Sequence, residues 1–247
     1  NIVFLPYKEL VCLHLNAVIH APTPLKIIEH DMNKKHILVA TLLSISSLAV
    51  SAATETGKLS LNRNNIKVWT YKTGNNPVFQ YKAETTFDAP LERAIALVLD
   101  VERTPQWVPY VGKAKVLSRD EKKGEFTLYM VLDFPFPLND RDLTIKGKMN
   151  RNTDGSVTIK NTTIQTSYPE QPNIIRLRNY EGDWTFQKLN NNKVKVSTSG
   201  YADPAGSIPL SFVNMFVEQQ PYQMLMKMKK ELNNPLYAQP KLPEALK

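Results

Sequence analysis

Residues 207–233 read SIPLSFVNMFVEQQPYQMLMKMKKELN. Ile208, Phe212, Met215, Phe216, Met224, Leu225, Met228 and Leu232 recur at spacings that put them on one broad apolar stripe of a helix. Lys227, Lys229, Lys230 and Glu231 fill the other side near the end and read as a solvated face. Ser207 is suited to cap this helix, which would run about 40 Å to Asn233 at ~1.5 Å per residue. Pro221 falls inside it, lacks an N–H and would clash with the Val217 carbonyl, so a bend is expected there. A helix this greasy along one side needs a wide apolar surface to lie on.

The chain before it supplies that surface. Phe126, Leu128, Met130, Leu132 and Phe134 alternate with Thr127, Tyr129, Val131 and Asp133, while Leu143, Ile145 and Met149 alternate with Thr144, Lys146 and Lys148. Period-two alternation of this kind marks strands with one apolar face. Further strands are expected over 156–166, 174–180, 183–189 and 193–201, with turns at 152–155, 181–182 and 190–192. Upstream, turns at 62–65 and 73–77 bracket a strand over 66–72, and a second strand covers 78–87. Asp88 and Pro90 then suit the start of a helix with Leu91, Ile95, Val98 and Leu99 on its apolar side. Pro105 and Pro109 require that helix to end near Glu102, and Pro235, Pro240 and Pro243 mark 234–247 as a loose tail. The order is strand, strand, helix, many strands, long helix. It predicts an α+β fold: a curved antiparallel sheet wrapped around a long, kinked C-terminal helix, with a shorter helix near the N-terminus.

All four histidines, His14, His20, His30 and His36, and the single cysteine, Cys12, precede residue 37. Downstream of them a Ser–His relay, a cysteine nucleophile and an ordinary zinc site are excluded, and no paired-carboxylate motif is visible. No catalytic residue, metal or cofactor is expected. Met32-Asn33-Lys34-Lys35-His36, the apolar run 37–50 and Ser51-Ala52-Ala53 follow the order of a secretory signal peptide, with cleavage after Ala52. The apolar run would rise only ~21 Å as a helix, short of the ~30 Å hydrocarbon core. Segment 32–52 therefore predicts a periplasmic or secreted protein, and 1–31 is expected to be an upstream extension ahead of an initiating Met32. The net charge of +8 suits transient contact with an anionic membrane surface. Nucleic acid is not expected as a partner after export, and the protein is expected to be a monomer.

Between residues 57 and 233 the chain resembles the START domain family of the wider helix-grip fold. Phe87-Asp88-Ala89-Pro90 with Leu97-Val98-Leu99-Asp100 is similar to the family's first long helix. Arg103-Thr104-Pro105-Gln106-Trp107-Val108-Pro109 is similar to its R-x-x-W-x-P loop, and Phe136-Pro137-Leu138-Asn139-Asp140-Arg141-Asp142 to its W-P-L-x-x-R-D turn. Asp203-Pro204-Ala205-Gly206-Ser207-Ile208-Pro209 resembles the lead-in to the last helix, and Gln220-Pro221 its kink. The resemblance implies a cavity between sheet and C-terminal helix that holds one lipid or sterol, under movable loops, without transforming it. It also implies an acidic–basic pair inside the cavity of some sterol carriers. The corresponding register here falls at Tyr129 or Met130 and at Gly147, so that anchor is missing and phospholipid, fatty acyl and sterol-like ligands stay open. A helix-grip enzyme of the cyclase or aromatase type is the alternative.

The greasy lining is expected from Phe134, Phe136, Ile208, Phe212, Met215 and Phe216, with solid core as the other reading of the same residues. Trp107, with Tyr110, either packs under its proline-rich loop or reaches a membrane interface; packing is preferred. Tyr129, Trp184 and Tyr201 are the strand aromatics assigned to the ligand, with core packing as the other reading for Trp184 and Tyr201. Arg141, between Asp140 and Asp142, is expected either to ion-pair within its turn or to meet a headgroup. Burying ten methylenes would give roughly 8 kcal/mol before ordering costs, so no ionic anchor is required.

Overall fold

The structure, a computed structural model, describes residues 57–71, 79–190, 192–209, 212 and 215–247. The expected signal segment 32–52 and the stretch 1–31 lie outside the described residues. Strands β1 (Lys58–Arg63) and β2 (Ile66–Thr70) form a hairpin. Its turn residues Asn64 and Asn65 both have positive φ, 53° and 61°, as a two-residue hairpin turn requires. β1 was not legible as a strand, because Leu59 and Leu61 are its only apolar residues and it lies at the sheet edge.

β3 (Phe79–Phe87) leads to helix α1 (Leu91–Leu99), a single turn at Val101–Arg103 and helix α2 (Thr104–Trp107). Then follow β4 (Val111–Asp120), β5 (Glu125–Leu132), β6 (Arg141–Arg151), β7 (Val157–Thr163), β8 (Ile175–Arg176), β9 (Tyr180–Leu189) and β10 (Lys193–Ala202). The spatial order is β1-β2-β3-β10-β9-β7-β6-β5-β4, antiparallel along the path. β8 adds two residues parallel to β6, so only a fragment of the strand expected over 174–180 exists. At the far edge β4 carries two register shifts and the exposed Lys113 and Lys115, which discourage pairing with another chain.

α1 rests on β9 and β10, while the C-terminal helix lies against β2 and β3. That helix differs from expectation at its start and its bend. Residues 207–209 are outside it, and Phe212 N–H donates to the Pro209 carbonyl at 2.9 Å, so Ser207 is not its cap. The bend takes the form of a π-turn over Met215–Gln219, followed by helix α3 (Gln220–Glu231) with Pro221 in its first turn. The wide turn removes the clash between a proline ring and the carbonyl four residues back. Asp88 does not cap α1 either. Its carboxylate pairs with Lys193 at 3.1 Å, and Pro90 holds the cap position with extended backbone. α1 ends ahead of Pro105, as expected, and Pro105 lies in the first turn of the separate helix α2, where its missing N–H costs nothing.

Residues 234–247 are not loose. Tyr237 and Leu246 are buried, and the Tyr237 hydroxyl donates to Asp100 Oδ2 at 2.9 Å. The Leu246 carbonyl accepts from Arg151 Nε at 3.1 Å, and Ala245 N–H donates to the Glu121 carbonyl at 2.9 Å. The prolines shape two single-turn helices rather than a disconnected tail. Removing residues 243–247 uncovers Leu246's site and takes the Leu246 carbonyl away from Arg151, and is expected to cost about 2–3 kcal/mol in urea unfolding. A loss below about 0.5 kcal/mol would contradict this packing.

Candidate functional site

The alternation along the strands decides which side chains face inward. Phe126, Leu128, Met130 and Leu132 of β5 and Leu143 and Ile145 of β6 point to the concave side. Trp107 at the end of α2, Phe216 in the π-turn and Met224 on α3 close the other side. Between them lies a cavity of about 200 Å³. Aromatic contacts brace its walls: Phe134 stacks on Phe216 at 4.3 Å, Tyr110 meets Phe216 at 5.4 Å, and Trp107 meets Trp184 at 6.1 Å. Gly147 is needed opposite Phe126, since a Cβ there would collide with the phenyl ring.

Of the residues expected at the site, Trp107, Phe134, Trp184, Tyr201 and Phe216 line the cavity. Trp107 is 2% exposed, so it packs under its loop and does not reach a membrane. Tyr201, at the end of β10, also borders a polar outer groove with Arg178 and Glu181. Ile208 and Phe212 pack with Phe134 and Val217 in a separate apolar cluster behind the wall, and Met215 does not reach the cavity. Phe136 is 95% exposed, because the turn between β5 and β6 carries it away from the molecule. Lining that sequence reasoning missed includes Tyr81, Tyr110, Asn161 and Tyr180. The period-two pattern could have found Asn161 and Tyr180, which share a face with Ile159 and Trp184.

Tyr129 is on the opposite face of β5 from Met130. Its hydroxyl donates to Asp142 Oδ2 at 2.9 Å, and its ring stacks on Tyr168 at 4.2 Å. Asp142 also accepts from Arg176 Nε at 2.6 Å and Nη2 at 2.9 Å. This bidentate bond raises the Arg176 pKa, while burial and then the bond to Asp142 push the Tyr129 phenol up. Arg141 therefore makes no ion pair with Asp142 in its turn. Its Nε and Nη2 donate to the Pro204 and Ala205 carbonyls at 3.3 and 3.4 Å, and Nη1 to the Asn139 carbonyl. Burial pushes this guanidinium down, with Asp140 opposing in part, and its carbon lies 4.3 Å from the Phe134 ring centre. Arg141 clamps the β5–β6 turn to the segment after β10 and does not line the cavity.

The Tyr81 and Tyr180 phenols are protonated at neutral pH. Burial pushes Tyr81 up to about 12 from 10.0, partly offset by its hydrogen bond with Thr198, and burial raises Tyr180 as well. A phenol whose folded pKa exceeds its unfolded one contributes stability that is complete below the unfolded value and lost as pH rises through the folded value. Urea midpoints are therefore expected to stay level up to about pH 10 and fall between there and about 12. Tyr81→Phe should make that fall shallower; an unchanged slope would contradict the assignment.

A family model described as START domain matches residues 48–236. An uncharacterized protein of Pseudomonas aeruginosa is 26% identical over 76% of this chain and 94% of its own length. Bovine phosphatidylcholine transfer protein is 24% identical over 72% of this chain and 84% of its own. Among solved structures, a STAR-related lipid transfer protein from Xanthomonas axonopodis superposes with a TM-score of 0.66. It is 22% identical, over 72% of this chain and 99% of that one. The helix-grip sheet, the cavity beneath its C-terminal helix and the family match converge, and the chain belongs to the START domain family.

Proposed function

We propose that the chain binds one lipid in its interior cavity and carries it through water without transforming it. The observation that carries this reading is the apolar hollow of about 200 Å³ between sheet and terminal helix. Burial of apolar surface is the driving force, and the flexible Met130 and Met224 suit chains of varying shape. An engineered apolar cavity of about 150 Å³ already takes benzene, and sites for drug-sized ligands begin near 300 Å³. A space of this size admits a ring or a short acyl segment, and a whole lipid requires the walls to part. The absence of histidine and cysteine after residue 36 supports a carrier over a cyclase-type enzyme.

The reading extends to place and partners: a monomer, exported by segment 32–52 to the periplasm or outside the cell, touching anionic membrane only in passing. The exposed Phe136 and the net charge of +8 support that contact. The test is transfer of pyrene-labelled acyl lipids between vesicles containing phosphatidylglycerol. Wild-type chain should accelerate it, and Phe136→Asp should slow it about tenfold while uptake from a lipid dispersion stays normal. Equal rates would remove the membrane contact. Absence of uptake by the wild type would remove the carrier reading.

A further inference from the structure

One wall of the cavity is polar without being charged. β7, β9, β10 and β3 are neighbours, and one register row crosses all of them: Asn161 faces Gly182, Gly182 faces Gly200, and Gly200 faces Tyr81. All four residues line the cavity. The two glycines make a trough in which two phenols lie. A Cβ at Gly182 would collide with Tyr180 Oη, and one at Gly200 would sit 2.5 Å from the Tyr81 ring. Beside the row, Trp184 follows Gly182 on the same face of β9 and packs against Trp107.

The hydrogen-bonding capacity of this trough is only partly used. Tyr81 is engaged by Thr198, and Asn161 Nδ2 donates to the Gly182 carbonyl at 2.9 Å. Trp107 Nε1 is buried with no acceptor, and Tyr180 Oη has no hydrogen-bond partner among the described residues. No Asp, Glu, Lys or Arg is present among the described residues that line the cavity. A charge brought here would lose its water and find no counter-charge. An uncharged acceptor would lose far less and would regain a hydrogen bond from a phenol.

We propose that this row seats the ligand's polar group, and that the group is an uncharged ester carbonyl or hydroxyl. The chain then selects neutral lipids, such as diacylglycerols, over phospholipids with the same acyl chains. The inference rests on the carrier reading above and narrows its ligand.

The test titrates the full chain with pyrene-labelled diacylglycerol and with the same acyl chains carried as phosphatidic acid and as phosphatidylcholine. Diacylglycerol should bind at least about tenfold tighter than either phospholipid. Tyr180→Phe should weaken diacylglycerol about threefold to tenfold and leave a pyrenyl-alkane unaffected. Gly182→Ala, which displaces the same hydroxyl, should do likewise. If a phospholipid binds as tightly as diacylglycerol, or if neither variant moves diacylglycerol, the neutral-lipid inference is overturned while the carrier reading stands. If none of the probes binds, the carrier reading falls and takes this inference with it.

Discussion

Asp142→Ala is expected to destabilise the chain by about 3–5 kcal/mol, the usual cost of leaving a buried ion pair with one partner. Asp142 is 1% exposed and accepts from Arg176 twice and from Tyr129 once. Alanine would orphan three donors on the covered outer face of the sheet. Arg176 also donates to the Tyr168 and Pro169 carbonyls, so the segment between β7 and β8 loses its anchor at the same time. Exchanging both partners, Asp142→Leu with Arg176→Met, removes the charges together and should cost less than the single change, under about 2 kcal/mol. Urea unfolding measures both. A single variant within about 1 kcal/mol of wild type would contradict the burial and the hydrogen bonding described.

The second large effect concerns the hollow. Met130 lies mid-strand on β5, between Ala114 and Leu143, and faces the cavity. Met130→Trp places an indole in a space of about 200 Å³, leaving too little room for an acyl segment. Uptake of pyrene-labelled lipid should drop more than about tenfold, while overpacking should cost no more than about 1–3 kcal/mol of stability. The two readouts separate because a cavity wall tolerates filling and a solid core does not. Undiminished uptake would place the ligand elsewhere. Collapse of the fold would show that the residues around Met130 already touch.

The arrangement of layers was legible because alternation and helical periodicity are strong, local signals. Phe126 to Leu132 fixed the inward face of β5, and the apolar stripe from Met224 to Leu232 fixed the buried face of α3. The same alternation also contained the correction for Tyr129. It sits out of phase with Met130, so of the two residues that the family register left open for the cavity position only Met130 lies there. Phe136 shows a different limit. It would share the inward face of Leu132 and Phe134 only if the strand ran on. β5 ends at Leu132, so a loop turns the Phe136 ring outward.

Arg141 stands between Asp140 and Asp142 in sequence and was expected to ion-pair within its turn or to meet a headgroup. Residues far along the chain decided otherwise: Arg176 takes Asp142, and the carbonyls of Pro204 and Ala205 take Arg141. No local pattern carries such pairings. The polar trough was hidden for a related reason. Asn161, Gly182, Gly200 and Tyr81 become neighbours only through the register of four strands, and a glycine announces nothing until the ring that fills its place is known.

Native mass spectrometry of the chain purified from cells, without added lipid, tests the carrier reading most directly. The account predicts one lipid-sized adduct per monomer, extractable into organic solvent and absent from Met130→Trp. A wild-type spectrum of bare protein, with no adduct appearing after incubation with lipid dispersions, would contradict it.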